Sequence, residues 1–359
     1  MKDLFGFIDD LYDKADVSDN ALSDILTDSY VLKESDQRSL SFSDVDTYLF
    51  KSADKKRREV YDTDVYARGL IEISNRCKNN CLYCGIRRGS PVYRYSLSQD
   101  EIMDCVRSGH EMGFRTFVLQ GGENPGSDRM ITELIRRIKS EFPDSAVTLS
   151  LGEKTKKIYE EFKQAGADRY LLRHETADKM HYEKLHPDEM SYDNRINCLW
   201  TLKELGYQVG AGFMVGSPYQ TTGNLISDLR FLKELSPDMV GIGPFIPQHD
   251  TPFSGEKAGS LLTTLRCLAL IRLMLPHALI PATTALWTIH PKGRDAGLKA
   301  GANVIMPNLT PSYARELYNL YDNKKNVKDE AGIRLAGISA KISESGYRLS
   351  MDRGDVIRK

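Results

Sequence analysis

No stretch of this 359-residue chain approaches the ~20 consecutive apolar residues that a membrane-spanning helix needs. The run Met1–Asp10 is too acidic and too poor in apolar residues for a secretory signal. An excess of one charge is also missing. With 49 Lys and Arg against 50 Asp and Glu, nothing pulls the whole chain toward nucleic acid or an anionic bilayer. Six cysteines are too few for the disulfide framework of a small secreted domain. No G-x-G-x-x-G opens the first strand–helix unit, which disfavours a dinucleotide-binding open sheet. These absences leave a soluble, cytoplasmic protein without a nucleic-acid or membrane partner. Its 41% hydrophobic content is ordinary for a globular chain that buries a large core.

What is present changes character along the chain. Asn20–Asp28 and Ser43–Phe50 carry apolar residues at helical spacing behind Ser, Asp or Asn caps, so residues 1–64 read as a helical extension. The polar run Lys51–Arg58 reads as its solvated end. From residue 65 to 310, short apolar runs alternate with amphipathic stretches. The strands expected are Leu70–Ser74, Thr116–Gln120, Ala146–Ser150, Arg169–Arg173, Gln208–Val215, Met239–Gly243, Leu279–Thr283 and Asn303–Met306. Helical patterns such as Asp100–Met112 and Arg129–Phe142 fill the intervals. Alternation of this kind means parallel strands with helical crossovers. Eight strands in about 240 residues predict an α/β fold, a complete (β/α)8 TIM-type barrel, with a doubly wound sheet as the alternative. Residues 311–359 read as a short polar helical tail in which no chemistry is recognisable.

Three cysteines crowd together in Cys77-Lys-Asn-Asn-Cys81-Leu-Tyr-Cys84, a C-x3-C-x2-C spacing just after the first strand. Thiolates take soft metals, and zinc would want a fourth Cys or His close by. Cys105, Cys198 and Cys267 lie in helical patterns and read as core residues. The trio therefore suits a cubane held by three protein ligands with one iron open, and a zinc or redox knuckle is the competing reading. Polar and Gly/Pro-rich residues also follow the other strands, at the end where barrels carry their chemistry. Among them are Gly121-Gly122-Glu123, His174-Glu175-Thr176 and Thr283-Thr284.

C-x3-C-x2-C with Tyr83 before the last cysteine resembles the signature of the radical S-adenosylmethionine superfamily. That resemblance implies one [4Fe-4S] cluster on Cys77, Cys81 and Cys84, with S-adenosyl-L-methionine chelated at the open iron and cleaved to a 5′-deoxyadenosyl radical. It also implies that Tyr83, Gln120, Gly121, Gly122, Glu123, Ser150, Glu175, Arg195 and Met214 surround the cofactor. Longer strings, including Val147–Glu153, Ala167–Ala177, Asp238–Pro247 and Gly301–Asn308, are similar to the [FeFe]-hydrogenase maturases of HydE type. Methylornithine synthase and biotin synthase share the cluster motif and barrel. The HydE resemblance implies radical attack on sulfur of a cysteine-bound Fe(CO)2CN precursor. It implies HydG- and HydF-like partner maturases and an electron donor such as ferredoxin or flavodoxin.

Arg169 and Arg173, at i and i+4 of one strand, share a face. Two guanidinium groups inside a barrel call for an anion, because unpaired buried charge is costly. They are assigned to catalysis with Met239 and Tyr318, although Met239 also reads as core. Arg68, Thr148, Thr283, Thr284, Met306 and Tyr321 are assigned to the substrate. His249 and His290 read as surface or capping residues. Some family members carry a second cysteine trio near the C-terminus. Here no cysteine follows Cys267, so one cluster is expected. The bulky pair Leu286-Trp287 is expected to trim the cavity.

Overall fold

The computed structural model describes residues 4–15, 18–27, 40–324 and 331–358. Its strands are β1 (Asp64–Ala67), β2 (Gly69–Ser74), β3 (Thr116–Gly121), β4 (Ala146–Ser150), β5 (Arg169–Leu171), β6 (Gln208–Ala211), β7 (Met214–Val215), β8 (Met239–Val240), β9 (Gly243–Pro244), β10 (Val304–Ile305) and β11 (Arg348–Ser350). β2, β3, β4, β5, β6 and β8 form one six-stranded parallel sheet in that order. Every residue of β2 is buried, as expected for a strand covered on both faces. From β8, parallel bridges continue through Met239↔Leu279 and Pro281↔Val304 and return to β2 through Leu70↔Asn308. Backbone bonds from Leu70 N to Pro307 O (2.9 Å) and Leu309 N to Leu70 O (2.7 Å) reinforce the last step.

The long runs expected at 208–215 and 239–243 are each interrupted, and their ends pair separately as β7 with β9. Gly212 explains the break: a Cβ there would lie 2.0 Å from Gly241 O, at φ 156°. Crossover helices form where the caps and spacing lead. Helix Gln99–Glu111 opens with a full Ser98/Glu101 capping box. Helix Asp128–Glu141 buries Ile131, Leu134, Ile135 and Ile138 at helical spacing. Cys105, Cys198 and Cys267 are buried core residues as read. Among the described residues, no helix is long and apolar enough to cross a membrane.

Two expectations are corrected. The run Lys51–Arg58 lies inside helix Asp44–Tyr61 and is solvated on one side only, with Ala53 and Arg57 buried on the other. Arg57 is fully buried there, donating to Asp62 O (3.0 Å) and pairing with Asp54 (3.0 Å). Charge in the sequence did not show which side of that helix is covered. The tail is not merely helical either. Helix Ala331–Glu344 leads into β11, which pairs in parallel with β1 (Tyr66↔Ser350). The residues after it run beneath the strand starts, where Arg353 O accepts from Thr116 Oγ1 at 2.8 Å.

Candidate functional site

The cysteine loop leaves β2 and is braced from within. Arg94 donates to the carbonyls of Asn75 (2.6 Å), Ile86 (2.9 Å) and Ser90 (3.2 Å). Asn80 Oδ1 accepts from Arg87 Nε and Gly89 N. Burial pushes the Cys77 and Cys81 thiols up, and Cys84 up to about 12. Metal binding here must release protons, since the thiolate is the ligand. Cys81 Sγ also lies 3.6 Å from Met190 Sδ. Among the described residues, no three His, Cys, Asp or Glu side chains converge on a single-ion position. In an iron–sulfur cubane each thiolate binds its own iron, and three soft donors on one braced loop fit that group.

Gly121 ends β3, and Gly122 N donates to Ser74 O at 3.0 Å. A Cβ on Gly122 would stand 2.4 Å from Arg76 O and 2.8 Å from Cys77 Cβ, so only glycine lets this turn touch the cysteine loop. The Glu123 side chain is already occupied. It accepts from Asn79 Nδ2 (3.0 Å) and Glu153 N (2.8 Å) and pairs with Lys78 (2.8 Å). It ties the cysteine loop to the loop after β4.

Beside the thiols lies a set of buried polar atoms with unmet capacity. Glu175 sits in the left-handed region at φ 66°, a strained position for a residue with a side chain. Its Oε2 is 3.3 Å from Arg173 Nη2, whereas Arg195 Nε is 2.9 Å from Glu153 Oε1. Glu175 and Arg195 therefore take different partners. None of these four atoms, nor Arg173 Nε nor Tyr182 Oη, makes a well-formed hydrogen bond. Arg195 and Glu175 both act electrostatically on the Cys81 thiol, which places them at its side. Unmet donors and acceptors of both signs suit a zwitterionic amino-acid group.

One wall of this site is apolar. Tyr83 and Leu82 pack on Met214, Leu185, Phe245 and Phe253. Tyr83 Oη is 3.1 Å from His186 Nε2, while His186 Nδ1 is 2.9 Å from Tyr182 O. Burial pushes His186 down to about 3, so it is neutral near pH 7. It thus donates from Nδ1 and accepts from Tyr83. His186 was not anticipated, because only tertiary contact joins it to the cysteines.

Deeper inside, Arg68, Leu70 and Glu72 alternate onto one face of the β1–β2 run. Arg68 Nη1 reaches Met239 Sδ at 2.9 Å, and its Nε has no partner. Thr148 Oγ1 and Thr283 Oγ1 are likewise buried and unpaired. Met306 packs in the cluster that holds Met239. Gln120, in register with Ser150, donates to Tyr318 Oη at 3.4 Å. Burial pushes the Tyr321 phenol up to about 12.

Arg169 is a correction. It does not share an anion with Arg173. Its guanidinium is filled by Gln208 Oε1, Thr116 Oγ1, Arg353 O and Asp355 Oδ1 at the start of the strand. Arg173, at the other end, stays underpaired. Thr283 stands at the N-cap position of helix Thr284–Ile289 without a side-chain cap bond, and Thr284 is the first helical residue. There Leu286 is fully buried against Gly297, and Trp287 lies under Arg294 at 5.4 Å. That bulky pair faces the next helix, because the turn after Thr283 is helical. His290 Nδ1 accepts from Lys292 N, a capping role, and exposed His249 pairs with Asp322.

Known proteins resemble this arrangement. The family model described as the Radical SAM superfamily matches residues 71–232. The [FeFe] hydrogenase maturase subunit HydE of Thermotoga maritima is 53% identical over 261 residues, 72% of this chain and 74% of that protein. A 3-methylornithine synthase of Methanosarcina acetivorans is 32% identical over 265 residues, covering 72% and 73%. The crystal structure of methylornithine synthase (PylB) superposes with a TM-score of 0.81 at 26% identity, covering 96% of this chain and 97% of that one. The hydrogenase maturase HydG shares the fold, with a TM-score of 0.78 at 22% identity, covering 98% and 76%.

Proposed function

Because the chain belongs to the radical S-adenosylmethionine superfamily and, within it, to the HydE-type hydrogenase maturases, we propose that it activates a cysteine-bound Fe(CO)2CN precursor of the hydrogenase di-iron subcluster by radical attack on sulfur. When bound, a [4Fe-4S] cluster supplies the electron that cleaves S-adenosylmethionine and gives the 5′-deoxyadenosyl radical. Cys77, Cys81 and Cys84 would hold that cluster. Gly122 would let the backbone after β3 close on the cofactor. Glu175 and Arg195 would take its ammonium and carboxylate, and Tyr83 and Met214 would exclude water from its nucleoside side. Gly121 would lie with Gly122 against the methionine moiety, Glu123 would brace that turn, and Ser150 and Gln120 would complete the cofactor's surroundings. Arg173, Arg68, Thr148, Thr283, Thr284, Met239, Met306, Tyr318 and Tyr321 would line the substrate cavity. The parallel bridges that return to β2 support reading residues 65–310 as a closed (β/α)8 barrel, with 1–64 and 311–359 as flanking segments. Cytoplasmic location, HydG- and HydF-like partners and a ferredoxin or flavodoxin donor complete the reading.

The observation that carries it is the set of buried, underpaired polar atoms on Arg173, Glu175, Arg195 and Tyr182, of which Glu175, Arg195 and Tyr182 lie within electrostatic reach of Cys81. The test is electron paramagnetic resonance of anaerobic, dithionite-reduced protein with and without S-adenosylmethionine, followed by a 5′-deoxyadenosine assay. A cubane signal that shifts with the cofactor, together with product, supports the reading. No shift and no product would end it. The near-complete superposition on methylornithine synthase favours a second reading, a radical mutase of an amino acid. Formation of 3-methylornithine from an amino acid by the reduced protein with S-adenosylmethionine would establish it.

A further inference from the structure

Glu72 was not among the expected site residues, yet it is a fully buried carboxylate on the inner face of β2, five residues before Cys77. Its Oε2 accepts from Asn308 Nδ2 at 2.9 Å. Its Oε1 accepts from Lys324 Nζ at 2.5 Å. The same ammonium donates to Tyr318 O at 2.8 Å and lies 4.9 Å from the centroid of the Tyr318 ring. A carboxylate, a carbonyl and an aromatic face make a complete receptor for a primary ammonium. Its present occupant comes from outside the strands, on the segment that follows β10. The Lys324 and Glu72 side chains are only 8% and 1% exposed. A buried ion pair is a poor source of stability, because desolvation offsets much of its attraction.

We infer that Glu72, Tyr318 and Asn308 form the ammonium pocket of the substrate site, recognising an α-amino-acid-derived substrate, and that Lys324 fills this pocket in its absence. The inference deepens the proposed function and rests on it only in taking an amino-acid-derived substrate. The other end of such a substrate has a place in Arg173, whose Nε and Nη2 lack hydrogen-bond partners. The Tyr321 phenol feels the charges of both Glu72 and Arg173. Glu72 then acts as a specificity residue. It rewards an ammonium and, once Lys324 leaves, would stand buried and uncompensated before a neutral substrate.

The test uses anaerobic calorimetry on reconstituted protein saturated with S-adenosylmethionine. The probes are L-serine, the oxygen analogue of cysteine, and L-glycerate, which has a hydroxyl in place of the ammonium. Lys324→Met should bind L-serine at least tenfold more tightly than wild type does, and at least tenfold more tightly than it binds L-glycerate. Adding Glu72→Gln should erase that preference. A Lys324→Met protein without the preference, or a preference that survives Glu72→Gln, overturns the pocket. Should Lys324→Met not fold, hydrogen exchange on wild type decides. Saturating L-serine, and not L-glycerate, should speed exchange in residues 317–324, and equal or absent effects overturn the inference. 5′-Deoxyadenosine formation without either probe reports separately on the radical reading.

Discussion

Arg169 Nη2 donates to Asp355 Oδ1 at 2.6 Å, joining the first residue of β5 to the carboxy-terminal tail 186 positions away. Arg169 is fully buried, and the tail supplies its counter-ion together with the Arg353 carbonyl. The strand starts are thus covered by the chain itself.

Asp355→Asn should destabilise the protein by about 1–2 kcal/mol, less than a wholly buried pair because Asp355 is partly exposed. Burial pushes its carboxyl up, but bonds from Arg353, Gln208 and Arg169 outweigh that and hold it below the usual range. With a depressed folded value, the contribution is present above about pH 4 and is lost as pH falls through the folded value. Urea unfolding of wild type and variant between pH 3 and 7 should show the two curves converging toward acid. A constant gap would contradict the assignment.

Cys77→Ala, Cys81→Ala and Cys84→Ala should each lose the cluster. Cys105→Ser, Cys198→Ser and Cys267→Ser should keep it, because those thiols are packed in the core. Iron and sulfide assays on anaerobically reconstituted proteins decide. Full iron in Cys84→Ala would remove it from the ligand set.

Arg173→Ala should keep uncoupled cleavage of S-adenosylmethionine within a few-fold of wild type while lowering turnover of the true substrate at least tenfold. The contact with Glu175 is a long 3.3 Å, so the cofactor site should tolerate its loss. Equal loss of both activities would move Arg173 to the cofactor side.

His249 Nδ1 lies 2.7 Å from Asp322 Oδ1, linking the loop after β9 to the segment that carries Tyr318 and Lys324. Its hydrogen bond to Asp322 holds the His249 pKa above the ordinary value. A raised folded value means this link is fully made below about pH 6.5 and is lost as pH rises through that value. Hydrogen exchange of residues 317–324, corrected for its intrinsic pH dependence, should quicken across that window. Asp322→Asn should flatten the change. A wild-type profile already flat would refute the link.

Gly85 shows how closely that segment presses on the cluster loop. A Cβ there would stand 2.0 Å from the Asn319 carbonyl oxygen, so Gly85→Ala must move backbone. Such overpacking typically costs about 1–3 kcal/mol. Thermal unfolding checks it, and an unchanged midpoint would mean that the segment yields freely.

The sequence by itself determined the alternation of strands and helices, the C-x3-C-x2-C loop and the glycines that fit against it. Those are local facts: periodicity, caps and spacing act over a dozen residues. It also placed Arg173 and Glu175 at the end of one strand, and the family resemblance put Arg195 beside the cofactor. Only the tertiary structure decided their partners: Glu175 turns to Arg173, two residues away, while Arg195 in helix Tyr192–Glu204 meets Glu153 in the loop after β4. It alone brought Asp355 to Arg169, His186 to Tyr83 and Lys324 to Glu72. Each of these contacts spans about a hundred residues or more, and each satisfies a buried polar group. Burial makes such satisfaction obligatory, and nothing in the local sequence says which distant residue will provide it.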